Sequence, residues 1–142
     1  MSDLRDAVMT QTLPLPLPSL DNAEFYEATH RGELRFQRCS ECGLWRHYPR
    51  PVCGGCYSRS FSWELSSGRG RIYTWTIVRG PPLPAFQDQL PYNVIDVLMD
   101  EGVHFQSQLR DCPPEEIRAD QPVEAIFEPV NEELTLVKFK RI

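Results

Sequence analysis

Several features that would place this 142-residue chain in a familiar functional class are missing from its sequence. It contains no run of 18 or more apolar residues, so no transmembrane helix is predicted. Its first residues include acids and no continuous apolar core, which is not the pattern of a secretory signal peptide. We therefore expect a cytoplasmic protein without membrane association, in a compartment where cysteine thiols stay reduced.

The motifs of common catalytic sites are absent as well. The sequence has no GxSxG nucleophile elbow, no phosphate-binding loop and no dinucleotide-binding glycine pattern. Its three histidines, His30, His47 and His104, share no spacing suited to a metal site or a catalytic triad. The sequence therefore favours a binding or assembly module, and it does not exclude an active site shared with another chain.

Charge is distributed unevenly along the chain. Residues 1–30 carry a net charge of −4, and residues 31–79 carry nine arginines against three acids, which is +6. Residues 80–142 carry five bases against twelve acids, which is −7. The basic segment is either a solvated face or a surface that meets phosphates, such as those of coenzyme A. The acidic segment argues against a nucleic-acid groove in the C-terminal half.

The N-terminal part is predicted to contain an arm and one helix. Residues 1–18 include LPLPLP, in which alternating prolines favour an extended or disordered arm that can lie along a partner. Residues 19–32 are predicted to form a helix, with Asp21 and Glu24 as a capping box and Gly32 at its end. A helix this short needs another element to pack against.

The rest of the chain is predicted to be β-structure. Residues 33–66 contain two strands that flank four cysteines, and residues 67–142 contain five short strands. A long connection between the third and fourth of these five is typical of a Greek-key barrel of the OB type. The five strands are predicted at residues 71–78, 92–99, 103–109, 123–130 and 134–142. The predicted fold is mainly β, with an N-terminal helix, a zinc ribbon and a five-stranded OB-fold barrel.

Four of the five cysteines form two pairs, Cys39-x-x-Cys42 and Cys53-x-x-Cys56. The spacing lets both sulfurs of a pair reach one ion, and glycines beside and within the pairs permit the tight turns required. Four sulfur ligands make a closed tetrahedral site, which predicts structural Zn²⁺; iron, as in a rubredoxin, is the alternative metal. The fifth cysteine, Cys112, could be a nucleophile, but the sequence places no general base for it, and a buried or incidental thiol is expected.

The order of these features resembles the DUF35 family. The resemblance covers roughly residues 20–142 and implies a rubredoxin-like zinc ribbon followed by an OB-fold. It rests on FYEATHRGELRFQRC, CSECG, PRPVCGGC, GRGRIYTWTIV, the PPLPAF to DEG segment, PVEAIFEPV and LTLVKFKRI.

This resemblance also implies a function. Members of the family are accessory subunits of thiolase-like enzymes, including aldolases that cleave steroid side-chain acyl-CoA by retro-aldol chemistry, and of acyltransferase assemblies. It implies that this chain is a non-catalytic subunit in lipid metabolism, with the catalytic residues on its partner. The chain alone is not expected to be an enzyme, and its four paired cysteines match the zinc ligands of the family.

The resemblance further implies an acyl-CoA site shared with the partner, for which five residues are candidates. Arg46 and Arg50 suit the phosphates of coenzyme A, because they are cations. Trp75, Phe86 and Tyr92 suit the pantetheine and the acyl chain, because they offer flat apolar groups. Trp75 and Tyr92 lie on predicted strands and are equally candidates for the core.

Two other functional classes stay open from the sequence. Single-stranded nucleic-acid binding is one, because OB-folds and zinc ribbons both serve it, although the charge of −7 over residues 80–142 opposes it. Electron transfer through an iron-loaded ribbon is the other. The leading expectation is a hetero-oligomer with a thiolase-like protein and no nucleic-acid partner.

Overall fold

The structure is a computed structural model that describes residues 14–80 and 83–142. In these residues one α-helix, α1 (Ala23–His30), precedes eight strands and two short 3-10 helices at Pro84–Gln89 and Pro114–Glu116. The strands are β1 (Arg35–Cys39), β2 (Trp45–Arg46), β3 (Phe61–Leu65), β4 (Arg69–Val78), β5 (Tyr92–Met99), β6 (His104–Ser107), β7 (Pro122–Pro129) and β8 (Thr135–Arg141). The prediction of a mainly β protein with an N-terminal helix is confirmed. Most of the predicted arm, residues 1–13, lies outside the described residues.

Helix α1 begins later than the capping pattern predicted. Asn22 is its N-cap residue, and no side chain caps the helix. The Oδ1 atom of Asn22 instead accepts a hydrogen bond from the backbone N–H of Ser19, at 2.6 Å. The capping box expected from Asp21 and Glu24 is therefore not formed. At the other end, Gly32 has a φ of +81°, a left-handed conformation that glycine adopts without steric cost.

The helix packs on the barrel through one face. Phe25, Ala28 and Thr29 are buried, and the hydroxyl of Thr29 donates a hydrogen bond to the backbone carbonyl of Thr135 in β8, at 3.1 Å. The short helix thus has the packing partner that it needs. No helix in the described part of the chain is long and apolar enough to cross a membrane.

The first sheet contains the cysteine segment. Its three antiparallel strands lie in the order β2-β1-β3, and Gln37 of β1 is opposite both Arg46 and Trp63. Strand β2 was not predicted, because two residues are too few to show an alternating pattern. It forms because the turn after Cys39 folds back, so that the backbone N–H of Cys39 donates to the carbonyl of Leu44, at 2.9 Å.

The second sheet is a curled, five-stranded barrel in the order β6-β5-β4-β7-β8. The ten-residue strand β4 pairs with β5 along most of its length and with β7 at its first residues. The two edges meet at a parallel bridge between Leu109 and Phe139. There the backbone N–H of Arg110 donates to the carbonyl of Phe139, at 2.8 Å. This closure confirms the predicted OB-fold.

One hydrophobic core serves the whole described structure. It is centred in the barrel but also includes Phe25 of α1 and Leu34 and Phe36 at the start of the ribbon. The start of strand β4 packs closely against β5 and requires glycine at position 70, because a Cβ there would lie 2.5 Å from the backbone oxygen of Leu98. The helix and the ribbon are therefore held on the barrel by shared apolar packing.

Candidate functional site

The four paired cysteines converge at one end of the ribbon. Their Sγ atoms all lie within 4.8 Å of one another. The Sγ atoms of Cys39 and Cys56 are 3.6 Å apart, as are those of Cys42 and Cys53. Zinc–sulfur bonds of about 2.3 Å in a tetrahedron place the sulfurs about 3.8 Å apart. The donor set therefore fits a Zn²⁺ ion, and a closed set of four sulfurs gives it a structural role.

The electrostatics of these thiols also favour a cation. The backbone N–H groups of Cys56 and Gly55 point at Cys53 and lower the pKa of its thiol to about 6. The backbone N–H of Ser58 lowers the pKa of Cys56, but the neighbouring thiols, that of Cys39 first, raise it to about 12. Four thiolates this close repel one another, so full ionisation requires a bound metal ion.

Arg46 lies in the loop between the cysteine pairs, and its side chain points into the ribbon rather than toward solvent. Its side chain is only 2% exposed, and its guanidinium lies 4.6 Å from the centre of the Phe61 ring. Its Nε atom donates to Oε1 of Gln37 at 2.7 Å, and Nη2 donates to the backbone carbonyl of Arg50 at 2.8 Å. In this chain Arg46 therefore positions the loop, and its predicted contact with a phosphate stays a prediction.

The other candidate ligand residues lie on separate elements. Arg50 is exposed on the ribbon loop, with its guanidinium near Gly54. Phe86 and Tyr92 are half-buried and meet each other, with ring centroids 5.7 Å apart. Trp75 is 37% exposed on β4 and lines a shallow cavity of its own. The structure thus brings together one pair of the five predicted residues.

The lone thiol of Cys112 packs half-buried against the barrel core. Burial raises the pKa of this thiol, which opposes the thiolate form that a nucleophile needs. Its surroundings agree with the expected incidental role.

A cavity that the sequence did not indicate lies where α1, the ribbon loop and the barrel meet. It has a volume of about 400 Å³, and its lining includes Phe25, His47, Tyr48 and Phe105. They come from three separate stretches of the chain, around residues 25, 47–48 and 105, and follow no common motif, so no sequence signal could have grouped them.

A four-cysteine ribbon joined to a closed five-stranded barrel defines a class, the zinc-ribbon and OB-fold proteins. Residues 27–62 match the family described as the ChsH2 rubredoxin-like zinc ribbon domain. Residues 63–128 match the family described as the ChsH2 C-terminal OB-fold domain. The predicted zinc ribbon and OB-fold are both confirmed by these matches.

The chain belongs to the DUF35 family. It is 35% identical over 104 residues to a DUF35 domain-containing scaffold protein of Methanothermobacter thermautotrophicus, which covers 72% of this chain and 77% of that protein. It also resembles a solved structure described as an Ltp2-ChsH2(DUF35) aldolase, with a TM-score of 0.81 and 33% identity. That match covers 89% of this chain and 98% of the other.

Two longer relatives contain a region similar to this chain. The chain is 35% identical over 129 residues to the probable enoyl-CoA hydratase alpha subunit of Thermomonospora curvata, and spans 39% of its length. It is 29% identical over 126 residues to the 3-oxo-4,17-pregnadiene-20-carboxyl-CoA hydratase alpha subunit of Mycobacterium tuberculosis, and spans 40% of its length.

Proposed function

We propose that this chain is a non-catalytic accessory subunit that binds a thiolase-like protein and contributes to an acyl-CoA site shared with it. The observation that carries the proposal is its similarity, at a TM-score of 0.81, to nearly the whole of a chain described as part of an Ltp2-ChsH2(DUF35) aldolase. The name of the Methanothermobacter thermautotrophicus relative, a scaffold protein, supports a role without catalysis.

The names of the longer relatives support the hetero-oligomer and its substrate class. Both are named as alpha subunits of hydratases that act on coenzyme A thioesters. The substrate in the name of the Mycobacterium tuberculosis protein supports a steroid-derived acyl-CoA. We infer an acyl-CoA aldolase or acyltransferase complex in which the partner supplies the catalytic residues.

The surface of the chain offers a face for such a partner. Tyr48, Tyr73 and Trp75 are 53%, 61% and 37% exposed, and we call these three residues the aromatic face. Gln106 lies between Tyr48 and Trp75. Its backbone nitrogen is 3.4 Å from the Tyr48 hydroxyl oxygen, and the residue lines the shallow cavity beside Trp75. The Tyr73 ring meets His104, two residues earlier on β6. Exposed Tyr and Trp side chains are typical of protein interfaces.

We assign the acyl-CoA contacts to the exposed candidates. Arg50 is free to meet a phosphate, and the paired rings of Phe86 and Tyr92 offer an apolar surface to pantetheine or acyl chain. Trp75 is both a ligand candidate and a member of the aromatic face in this proposal. Arg46 is left out because its guanidinium is buried.

The experiment is affinity capture of the tagged full-length chain from its native host, followed by mass spectrometry. We expect a thiolase-like protein to be captured near stoichiometrically, and the purified complex to bind acyl-CoA more tightly than either subunit alone. Capture of no such protein, with the chain a monomer, would overturn the proposal.

Two variants then locate the interface. We expect Trp75→Ala and Tyr73→Ala each to weaken partner binding about tenfold or more, because a few aromatic side chains usually contribute most of the binding energy of an interface. The matched control is Leu83→Ala, which truncates a side chain that is 64% exposed outside the aromatic face. Equal loss of binding in the control would show that the aromatic face is not the interface.

A further inference from the structure

Strand β4 is paired along one edge but only partly along the other. Its edge toward β7 forms strand pairs only at residues 69–71. The next residue, Ile72, still donates its backbone N–H to the carbonyl of Gln121, at 3.0 Å. Beyond Ile72, no hydrogen bond from the described part of the chain reaches the edge of β4 that faces away from β5. Residues 73–78 therefore have a neighbouring strand on one side only, and we call this side of them the open edge.

The alternation of an antiparallel ladder identifies the backbone groups on the open edge. The N–H of Met99 in β5 bonds away from β4, to the residue before β6, so the even-numbered residues of β5 bond toward β4. Beyond the bulge at the start of the open edge, even-numbered residues of β4 lie opposite these, as Thr76 lies opposite Val94. Trp75 and Ile77 consequently direct their backbone groups outward. Each offers one donor and one acceptor to a further strand.

The open edge has the composition of a strand that accepts another strand. Its sequence, YTWTIV, consists of β-branched and aromatic residues, the types most enriched in strands. It contains neither a charge nor a proline, which proteins commonly use to block an exposed edge. Residues 73–76 are exposed, and they include Tyr73 and Trp75 of the aromatic face. The interface proposed above therefore contains an edge that can pair through its backbone.

Arginines flank the open edge and indicate the charge of its partner strand. Arg71 precedes it with a side chain 60% exposed, and Arg79 follows it directly and is exposed as well. Asp120 lies 3.7 Å from Arg71 but is 84% exposed, so water weakens this pair. A second copy of this chain, paired antiparallel about Trp75, would set Arg71 opposite Arg79 at both ends, which is destabilising. Acidic ends on the added strand would instead meet opposite charge.

We propose that the open edge takes up an extended segment of a partner protein as an added β-strand, uncharged and β-branched in its middle and acidic at both ends. The backbone groups of Trp75 and Ile77 bond the segment, as in other cases of strand addition. Arg71 and Arg79 meet its acids. The inference rests on the proposed function only for the identity of the partner, a thiolase-like protein.

The first test is NMR titration of the full-length, zinc-loaded chain with an eight-residue peptide of alternating threonine and valine, with an aspartate at each end. Two further peptides are N-methylated, one on its threonines and the other on its valines, so that each lacks the donors of one edge. We expect one of the two to bind like the parent and the other at least about tenfold more weakly. Amide exchange of Trp75 and Ile77 should slow with the parent. No saturable binding of the parent, or equal affinity of the two methylated peptides, overturns the proposal.

Charge reversal tests the flanking arginines. The same peptide with lysines in place of its aspartates should bind at least about fivefold more weakly at low salt. In the double variant Arg71→Glu and Arg79→Glu, we expect the lysine peptide to become the tighter of the two. The matched control is the double variant Arg31→Glu and Arg59→Glu, at exposed positions outside β4, which should keep the wild-type preference. An unchanged preference in the folded Arg71 and Arg79 variant overturns the proposal.

The last test uses the complex with the captured partner. Trp75→Pro and Trp75→Ala both remove the indole, but only proline also removes the outward N–H, at an edge position where proline is tolerated. We expect Trp75→Pro to bind the partner about tenfold more weakly than Trp75→Ala, with circular dichroism and zinc content unchanged. Equal affinities would overturn the added strand and leave the proposed function standing.

Two further outcomes separate this inference from the proposed function. Peptide binding with the expected pattern, but without capture of a thiolase-like protein, would support the added strand and overturn the proposed function. Sedimentation of the chain alone tests the other occupant of the edge. A wild-type dimer that Trp75→Pro dissociates would show that the open edge binds a second copy, and would overturn the proposal.

Discussion

The ribbon and the barrel are stabilised by different means, although they share one core. The barrel buries large apolar side chains on facing strands, among them Ile72, Ile95 and Phe139, each with no exposed surface. Beyond Leu34 and Phe36 at its start, the buried positions of the ribbon are cysteines and polar residues, such as Gln37 and Arg46. Apolar burial stabilises the barrel, whereas metal ligation and hydrogen bonds must stabilise the ribbon. We therefore expect the order of the loop between the cysteine pairs to depend on the metal.

The largest expected effect is on metal binding in Cys53→Ser. We expect the variant to lose its zinc and the folded ribbon, because structural zinc supplies on the order of 10 kcal/mol of apparent folding free energy. Metal analysis and hydrogen exchange of the backbone amides measure both changes, and β4 and β5 should keep their protection. The matched control is Cys112→Ser, which should keep one zinc per chain. A Cys53→Ser variant that retains zinc and its partner would show that the metal assignment is wrong.

The same preparation distinguishes the two metals. A colourless wild-type protein with stoichiometric zinc agrees with the ribbon described here. A red protein with a reversible redox change would instead show an iron centre and support electron transfer.

The reciprocal change is Phe139→Ala in the barrel. We expect the free energy of unfolding to fall by about 3–5 kcal/mol, the usual cost of emptying a buried aromatic site. Denaturant unfolding measures this loss, and metal analysis should still find one zinc per chain below the transition. Phe127→Ala, at a half-buried position of β7, is the control and should cost less. Loss of zinc from native Phe139→Ala would show that the barrel, and not the metal, orders the ribbon.

Within the ribbon, Arg46→Ala separates the contribution of the metal from that of the hydrogen bonds. The change removes the bonds to Gln37 and to the carbonyl of Arg50, and hydrogen bonds to charged groups contribute about 1.5–3 kcal/mol. We expect a loss of that size in unfolding free energy with zinc retained, and faster amide exchange in the loop. Arg59→Ala, at an exposed position, is the control. Unchanged loop exchange in Arg46→Ala would show that zinc alone orders the loop.

The smallest effect is a pH dependence at the junction of the two regions. The pKa of His47 is about 3 in the folded chain, below its ordinary value, so the unfolded chain binds more protons between these values. Stability therefore falls as the pH falls. From pH 7 to pH 5 we expect a loss of about 2 kcal/mol that is absent from His47→Phe. Parallel curves for wild type and His47→Phe would show that His47 is not buried in solution.

The predictions from sequence succeeded where they rested on local geometry. The spacing of Cys39, Cys42, Cys53 and Cys56 restricts where four sulfurs can meet, because each pair spans a single tight turn. Alternating apolar residues predicted the five barrel strands, because side chains on a strand alternate between its faces. The predictions failed where the signal was short or where another contact competed with it. Strand β2 is too short to show an alternating pattern, and the helix begins after Asn22 without the side-chain cap predicted from Asp21 and Glu24.

By itself, the sequence determined the class of metal site, the mainly β fold and the resemblance to the DUF35 family. Only the tertiary structure decided that Arg46 is buried while Arg50 is exposed, although both are arginines of one basic loop. It also decided that His47 meets Phe25 and Phe105 around a cavity. The physical reason is range: ligand spacing and strand alternation depend on neighbouring residues, whereas the exposure of a side chain depends on which distant elements pack against it.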